Sequence, residues 1–209
     1  VQAGLRLLPL SLASFAVALL TGRLIGKVPM RVLLGVAMAA AAAGLASMAH
    51  LTATSTWLVL VPGLILAGIG LGITSTGLAS AALAAVEPAR AGMAAGLVNT
   101  LRQVGTATGV AVLGALYASS VSTATLHALA GLPGSPSDVH RLAAAVASGA
   151  GTRVATGVPP AARAAVTHAA RAGTASGLND VLLAAAAFAA LGAVVGFAYG
   201  PDPPRQPPP

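Results

Sequence analysis

The sequence predicts an all-α membrane protein with five transmembrane helices. Of its 209 residues, 56% are hydrophobic and only 7% are charged, whereas soluble domains carry about 25% charged residues. The apolar residues are concentrated in five long stretches separated by less apolar connections. Cysteine is absent, which excludes disulfide scaffolds, thiolate metal sites and thiol nucleophiles. A chain of this composition requires lipid as its main solvent.

Each apolar stretch is long enough to cross a bilayer, which requires about 20 residues in a helix. The predicted spans are residues 4–22, 31–51, 57–83, 92–119 and 178–200. The first four spans make up residues 1–119. They are followed by a long loop at 120–177, the fifth span, and a Pro-rich tail at 201–209.

The basic residues of the short connections predict the orientation of the chain. Arg23, Lys27 and Arg31 occupy the first connection without an acidic residue, and the second connection, 52–56, is uncharged. The positive-inside rule therefore places the first connection and the tail in the cytoplasm and the long loop outside. We expect a multi-pass protein of the plasma membrane, in particular a bacterial inner membrane.

Two short helices are expected inside the long loop. Ser137 is positioned to cap a helix over 138–148, and Gly149 is positioned to stop it. Pro159 and Pro160 open a second helix that we expect to end at Gly173. This region would form either a small external cap or a linker.

A row of polar residues distinguishes the fourth span from the others. Asn99, Arg102, Gln103 and Thr106 are spaced 0, 3, 4 and 7, so they share one helix face. Arg102 lies about 15 Å from the start of the span at 1.5 Å per residue. This face is a candidate cavity or gating surface, because a charge within a span is costly unless it meets a cavity or a partner. The alternative is that Arg102 extends to the cytoplasmic interface and pairs with Glu87 or a lipid headgroup.

Glycines indicate where helices pack closely. Small residues let the backbones of transmembrane helices approach each other. The candidate packing residues are Gly68, Gly72, Gly96, Gly105 and Gly109.

Three other classes of function are disfavoured. The net charge of +7 comes from scattered Arg residues, and aromatic residues are only 3% of the chain, so a nucleic-acid surface is not indicated. The four His residues lie on different segments without metal-ligand spacing. We therefore expect no metal, no cofactor and no enzyme activity.

The sequence contains three distinctive segments, at residues 87–105, 3–10 and 22–31, and together they resemble the C-terminal part of the fourteen-span drug:proton antiporters of the major facilitator superfamily. Residues 87–105, which read EPARAGMAAGLVNTLRQVG, resemble the segment entering that family's thirteenth span. Residues 3–10 resemble the opening of its tenth span. Residues 22–31 resemble the superfamily's basic cytoplasmic loop, but Gly26 stands at the acidic position and Pro29 at the second glycine.

The resemblance implies that the five spans form most of the C-terminal bundle of a superfamily fold and that the N-terminal half of the transporter is the missing partner. It implies a cytoplasmic gating loop, which here lacks the acidic residue of the superfamily's charge relay. The loop residues concerned are Gly22, Arg23, Lys27 and Arg31.

The implied function is proton-coupled export of amphipathic or cationic drugs by alternating access. The small-molecule drugs, protons and membrane lipid would be the partners. The alternative is a truncated or non-transporting membrane scaffold. No acidic residue lies in the interior of a predicted span, because Asp180 stands at the external end of the fifth span and is interpreted as a helix cap together with Asn179. We therefore expect the coupling carboxylates in the missing half.

Overall fold

The computed structural model describes residues 2–50, 52, 57–129, 136–149 and 160–199. Its helices are α1 (Gln2–Leu24), α2 (Met30–Met48), α3 (Val61–Ala84), α4 (Ala91–Leu129), α5 (Pro136–Ala147) and α6 (Pro160–Tyr199). Single 3₁₀ turns, Trp57–Leu60 and Pro88–Arg90, precede α3 and α4. Within these residues no β-strand occurs, and the all-α prediction is confirmed.

Five of these segments are long and apolar enough to cross a membrane. They are Gly4–Leu24, Met30–Met48, Trp57–Ala84, Pro88–Leu129 and Arg163–Ala198. The helices of the first three correspond to the first three predicted spans within a few residues. The last two are longer than predicted: α4 has 39 residues and α6 has 40. At 1.5 Å per residue these helices measure about 60 Å, twice the hydrocarbon thickness.

The described residues divide into two compact units. The first contains α1, α2 through Ser47, α3, α4 through Ala107 and α6 from Ala185. The second contains the remainder of α4 and α6 together with α5.

In the first unit, α3 packs against α1 and α2 through glycines. A Cβ atom on Gly68 would lie 2.5 Å from the carbonyl oxygen of Leu10, and one on Gly72 would lie 2.5 Å from that of Ser14. On another face of α3, a Cβ on Gly70 would lie 2.5 Å from the carbonyl oxygen of Ala37. Such distances leave no room for a side chain, so glycine permits the backbone contact.

The end of α6 packs on α2 within the same unit. A Cβ on Gly35 would lie 2.6 Å from the ring of Phe197, and one on Gly196 would lie 3.2 Å from the backbone nitrogen of Gly35. The buried side chains of this unit are few, with Leu33, Ala37 and Ile73 forming one cluster. Its stability depends mainly on close helix contacts, as expected where lipid is as apolar as the core.

The second unit has a small core of its own. Leu129, Val166 and Ala169 are buried together, with Val139 and Leu142 of α5 packed against them. Gly173 and Gly177 of α6 lie directly against α4, where Thr125 and Val121 are their respective neighbours. The spacing of four residues on both helices brings the two backbones together at successive turns.

The prediction that a helix ends at Gly173 is wrong, because α6 continues without a break from Pro160 to Tyr199. Glycine can occupy the interior of a helix. Here the close contact between Gly173 and Thr125 favours a residue without a side chain. The capping interpretation of Asp180 is wrong for the same reason: the residue lies in the interior of α6, where its side chain is exposed. The fourth span was expected to end at 119, but α4 continues to Leu129.

The other predicted loop helix corresponds to α5. It begins at Pro136, before Ser137, so Ser137 lies inside the first turn instead of preceding the helix. Gly149 adopts a φ of 82°, and its N–H donates to the carbonyl oxygen of Val146 at 3.0 Å. This left-handed glycine lies two residues after Ala147, the last residue of α5, so the predicted stop is confirmed.

Candidate functional site

A cleft of about 310 Å³ lies between α3 and α4 in the first unit. One face of α3 contributes Leu71, Thr74, Ser75 and Leu78, followed by three residues of its last turns, Ala79, Ala82 and Leu83. One face of α4 contributes Ala95, Val98, Asn99 and Arg102. Both sets follow the spacing of three and four residues that keeps side chains on a single helix face. The lining is mostly apolar, with a polar group of four residues at one end.

The polar end of the cleft lies far from the connection between the two helices. Thr74 precedes the end of α3 at Ala84 by ten residues, and Arg102 follows the start of α4 at Ala91 by eleven. Both distances correspond to about 15 Å along a helix axis. The two helices therefore bring their polar residues to the same level.

The predicted polar row is divided by the structure. Asn99 and Arg102 line the cleft, whereas Gln103 and Thr106 are not among its described lining residues. All four side chains are exposed. The Thr106 hydroxyl donates to the carbonyl oxygen of Arg102 at 2.8 Å, which satisfies this hydroxyl within its own helix.

Thr74 and Ser75 are site residues that the candidate set did not include. The Thr74 hydroxyl donates to the carbonyl oxygen of Gly70 at 2.7 Å, which leaves its oxygen free to accept. The run of hydroxyl residues from Thr74 to Thr76 directly after the glycines of α3 was the available signal. The sequence alone could not show which of these hydroxyls faces α4.

Glu87, the alternative partner expected for Arg102, lies beside Arg90. A Glu87 carboxylate oxygen lies 4.0 Å from the Arg90 guanidinium, and both side chains are strongly exposed. An exposed pair at this distance contributes little to stability. Among the described residues, no hydrogen bond or ion pair reaches the Arg102 side chain.

The candidate gating loop is a tight turn between α1 and α2. Gly22 and Arg23 lie in the last turns of α1, Lys27 lies in the turn, and Arg31 lies in the first turn of α2; all four are exposed. The Lys27 N–H donates to the carbonyl oxygen of Leu24 at 3.0 Å, and Gly26 has a φ of 88°. Gly26 is thus the third residue of a four-residue turn, where a positive φ favours glycine.

The candidate packing glycines divide into two groups. Gly68 and Gly72 contact the backbone of α1, as described above. A Cβ atom on Gly96, Gly105 or Gly109 would meet no described atom within 4 Å. The described residues also contain no group of three or more His, Asp or Glu side chains that could hold a metal ion.

The family model of the Major Facilitator Superfamily matches residues 1–110. This chain belongs to the Major Facilitator Superfamily. The match includes α1, α2, α3, the turn between α1 and α2, and both walls of the cleft. It ends close to Thr108, the first residue of α4 that belongs to the second unit. No curated protein and no solved structure matches this chain. The chain is therefore a multi-pass membrane protein of a superfamily of transporters, and its described residues contain five helices able to span the membrane.

Proposed function

We propose that this chain is the C-terminal segment of a proton-coupled multidrug efflux transporter. It would export amphipathic or cationic drugs by alternating access. The α3–α4 cleft is the observation that carries the proposal, because it combines an apolar lining with a few polar groups. Sites of this kind are typical of small-molecule binding. The sequence resemblance at residues 87–105 supports the drug:proton antiporter class.

The two regions that carry the resemblance have distinct proposed roles. Asn99 and Arg102 would belong to the cavity, and Gln103 and Thr106, which share their helix face, would belong to the seam with the N-terminal half. The turn at 22–31 would act in cytoplasmic gating through its basic residues, without the acidic partner, since Gly26 occupies that position. Superfamily members with two bundles move by rocking one bundle against the other around a central site.

Proton coupling requires an ionisable group within the membrane. Asp180 lies inside the candidate span Arg163–Ala198, but neither it nor another acidic residue is among the described lining of the cleft. We therefore propose that the coupling carboxylates lie outside this segment. In the complete transporter, Asp180→Asn should retain proton-dependent efflux at a normal protein level. Loss of proton dependence in that variant would contradict this assignment.

Efflux from cells that produce the complete transporter tests the function. The expected result is lower accumulation of a range of amphipathic drugs, abolished when an ionophore collapses the proton gradient. Arg102→Ala should reduce efflux at least about tenfold, because ionisable residues within membrane spans usually have a functional role. Arg171→Ala is the matched control, since Arg171 is an exposed arginine of α6 in the second unit.

Two outcomes would contradict the proposed function. Efflux that persists after the proton gradient is collapsed would exclude proton coupling. A correctly inserted complete protein that exports no compound of the panel would favour the non-transporting scaffold.

A further inference from the structure

Arg102 is the one charged side chain among the described residues that line the α3–α4 cleft. The other polar groups there are neutral: the hydroxyls of Thr74 and Ser75 and the amide of Asn99. The remaining lining is aliphatic and includes Leu71, Leu78 and Val98. One end of the cleft is therefore positively charged, and the rest of the cleft is apolar.

The distance of Arg102 from the start of α4 makes the environment of its charge important. The residue lies eleven positions after the start of α4, about 16 Å along the axis. A guanidinium at such a level is costly without a partner, and a partner of opposite charge gains most where water is scarce. No described side chain supplies that partner. A bound molecule with an anionic group can supply it.

The sign of the charge selects among ligands. A cationic group placed beside Arg102 would be repelled. The described lining of the cleft contains no acidic residue that could offset this repulsion. A carboxylate, sulfonate or phosphate would accept two parallel hydrogen bonds from the guanidinium fork. The Ser75 hydroxyl of α3 and the Asn99 amide of α4 are further donors in the lining of the same cleft.

We propose that the cleft binds the anionic group of an amphipathic transported molecule, with Arg102 as the counter-ion and the aliphatic residues of α3 and α4 against the apolar tail. This inference rests on the proposed function and narrows its substrate class. The proposed function covers amphipathic and cationic compounds. This inference assigns to the cleft those amphipathic compounds that carry an anionic group.

Binding to the purified 209-residue chain in phosphatidylcholine vesicles tests the proposal. The probes are a dansyl-labelled undecanoate, its methyl ester and a trimethylammonium analogue. Energy transfer from Trp57, the single Trp of the chain, reports probe bound to the protein, and displacement by dodecanoate isolates the saturable component. We expect the carboxylate to bind at least about tenfold tighter than the ester, as charge-assisted pairing predicts.

Variants of Arg102 assign the preference to the guanidinium. Arg102→Gln should bring the carboxylate-to-ester ratio to within about twofold of unity, and Arg102→Lys should retain part of the preference because the charge remains without the fork geometry. Arg171→Gln removes one exposed arginine elsewhere and should leave the ratio unchanged. Retention of helical circular dichroism in each variant excludes misfolding as the cause.

Three results would overturn the proposal: equal binding of carboxylate and ester to the unaltered chain, tighter binding of the ammonium probe, or a preference that survives Arg102→Gln. Phosphatidylglycerol in the vesicles separates a substrate from a lipid headgroup. If this lipid displaces the probe and the complete transporter does not export dodecanoate, the occupant is a headgroup and the substrate assignment is overturned.

Export of dodecanoate that depends on Arg102 supports the assignment. The binding assay does not require transport, so its outcome is independent of whether drug efflux is proton-coupled. Failure of the proposed function and failure of this inference are thereby distinguished.

Discussion

The hydroxyl of Thr106 donates a 2.8 Å hydrogen bond to the main-chain carbonyl oxygen of Arg102, one turn earlier in α4. The two residues share a helix face in the sequence pattern, but only Arg102 lines the cleft. A hydroxyl bonded to its own helix does not need a ligand or a neighbouring helix. Residues that are equivalent by spacing therefore differ in their relation to the cleft.

Thr106→Val should leave drug efflux within about twofold of the unaltered complete transporter, because a hydroxyl bonded back to its helix contributes little elsewhere. Asn99→Leu, on the same face but lining the cleft, should lower efflux several-fold or more at an equal protein level. Fluorescent-substrate accumulation measures both variants. The distinction fails if Thr106→Val is the more damaging of the two.

Gly72→Ala should destabilise the purified chain by about 1–3 kcal/mol, since its methyl group would lie 2.5 Å from the carbonyl oxygen of Ser14. Gly105→Ala is the matched control, as its added methyl meets no described atom within 4 Å. It should be neutral or stabilising by up to about 1 kcal/mol, because alanine is the better helix former. Unfolding of the detergent-solubilised chain, followed by circular dichroism, measures the difference.

The open glycines of α4 provide a separate comparison. If Gly96, Gly105 and Gly109 pack against the N-terminal half, Gly105→Leu should be tolerated by the purified chain but should reduce the stability of the complete transporter. Equal tolerance in both contexts would argue against a packing role for this glycine.

Gly26→Ala should destabilise the chain by about 1–2 kcal/mol, because the φ of 88° lies in the left-handed region that an L side chain disfavours. Gly26→Asn should cost less, as Asn tolerates this conformation better. Gly22→Ala, four residues earlier within α1, is the control and should not destabilise. Equal melting temperatures for Gly26→Ala and Gly22→Ala would contradict the proposed importance of the turn conformation.

The orientation of the chain is testable because the sequence contains no cysteine. In intact cells, His140→Cys on α5 should react with a membrane-impermeant maleimide, and Lys27→Cys should react only after permeabilisation. Both side chains are exposed, so accessibility within the protein does not limit labelling. The reverse labelling pattern would invert the predicted topology.

The sequence alone determined the features that depend on local composition and period. Long apolar stretches with few charges predict membrane helices, and five were found. The spacing of Asn99 and Arg102 placed them together on one face of α4, and the glycine that follows α5 was identifiable as its stop because only a left-handed residue suits that position.

The tertiary structure decided which of several equivalent local patterns is used. The continuation of α6 through Gly173 depends on the contact with Thr125, a partner distant in sequence. Likewise, Thr74 and Ser75 become site residues only because α4 lies beside that face of α3. Gly68 and Gly105 are both glycines in apolar helices, yet only the first meets another described backbone. Helix periodicity specifies a face, whereas the neighbour on that face is specified by packing between segments far apart in the chain.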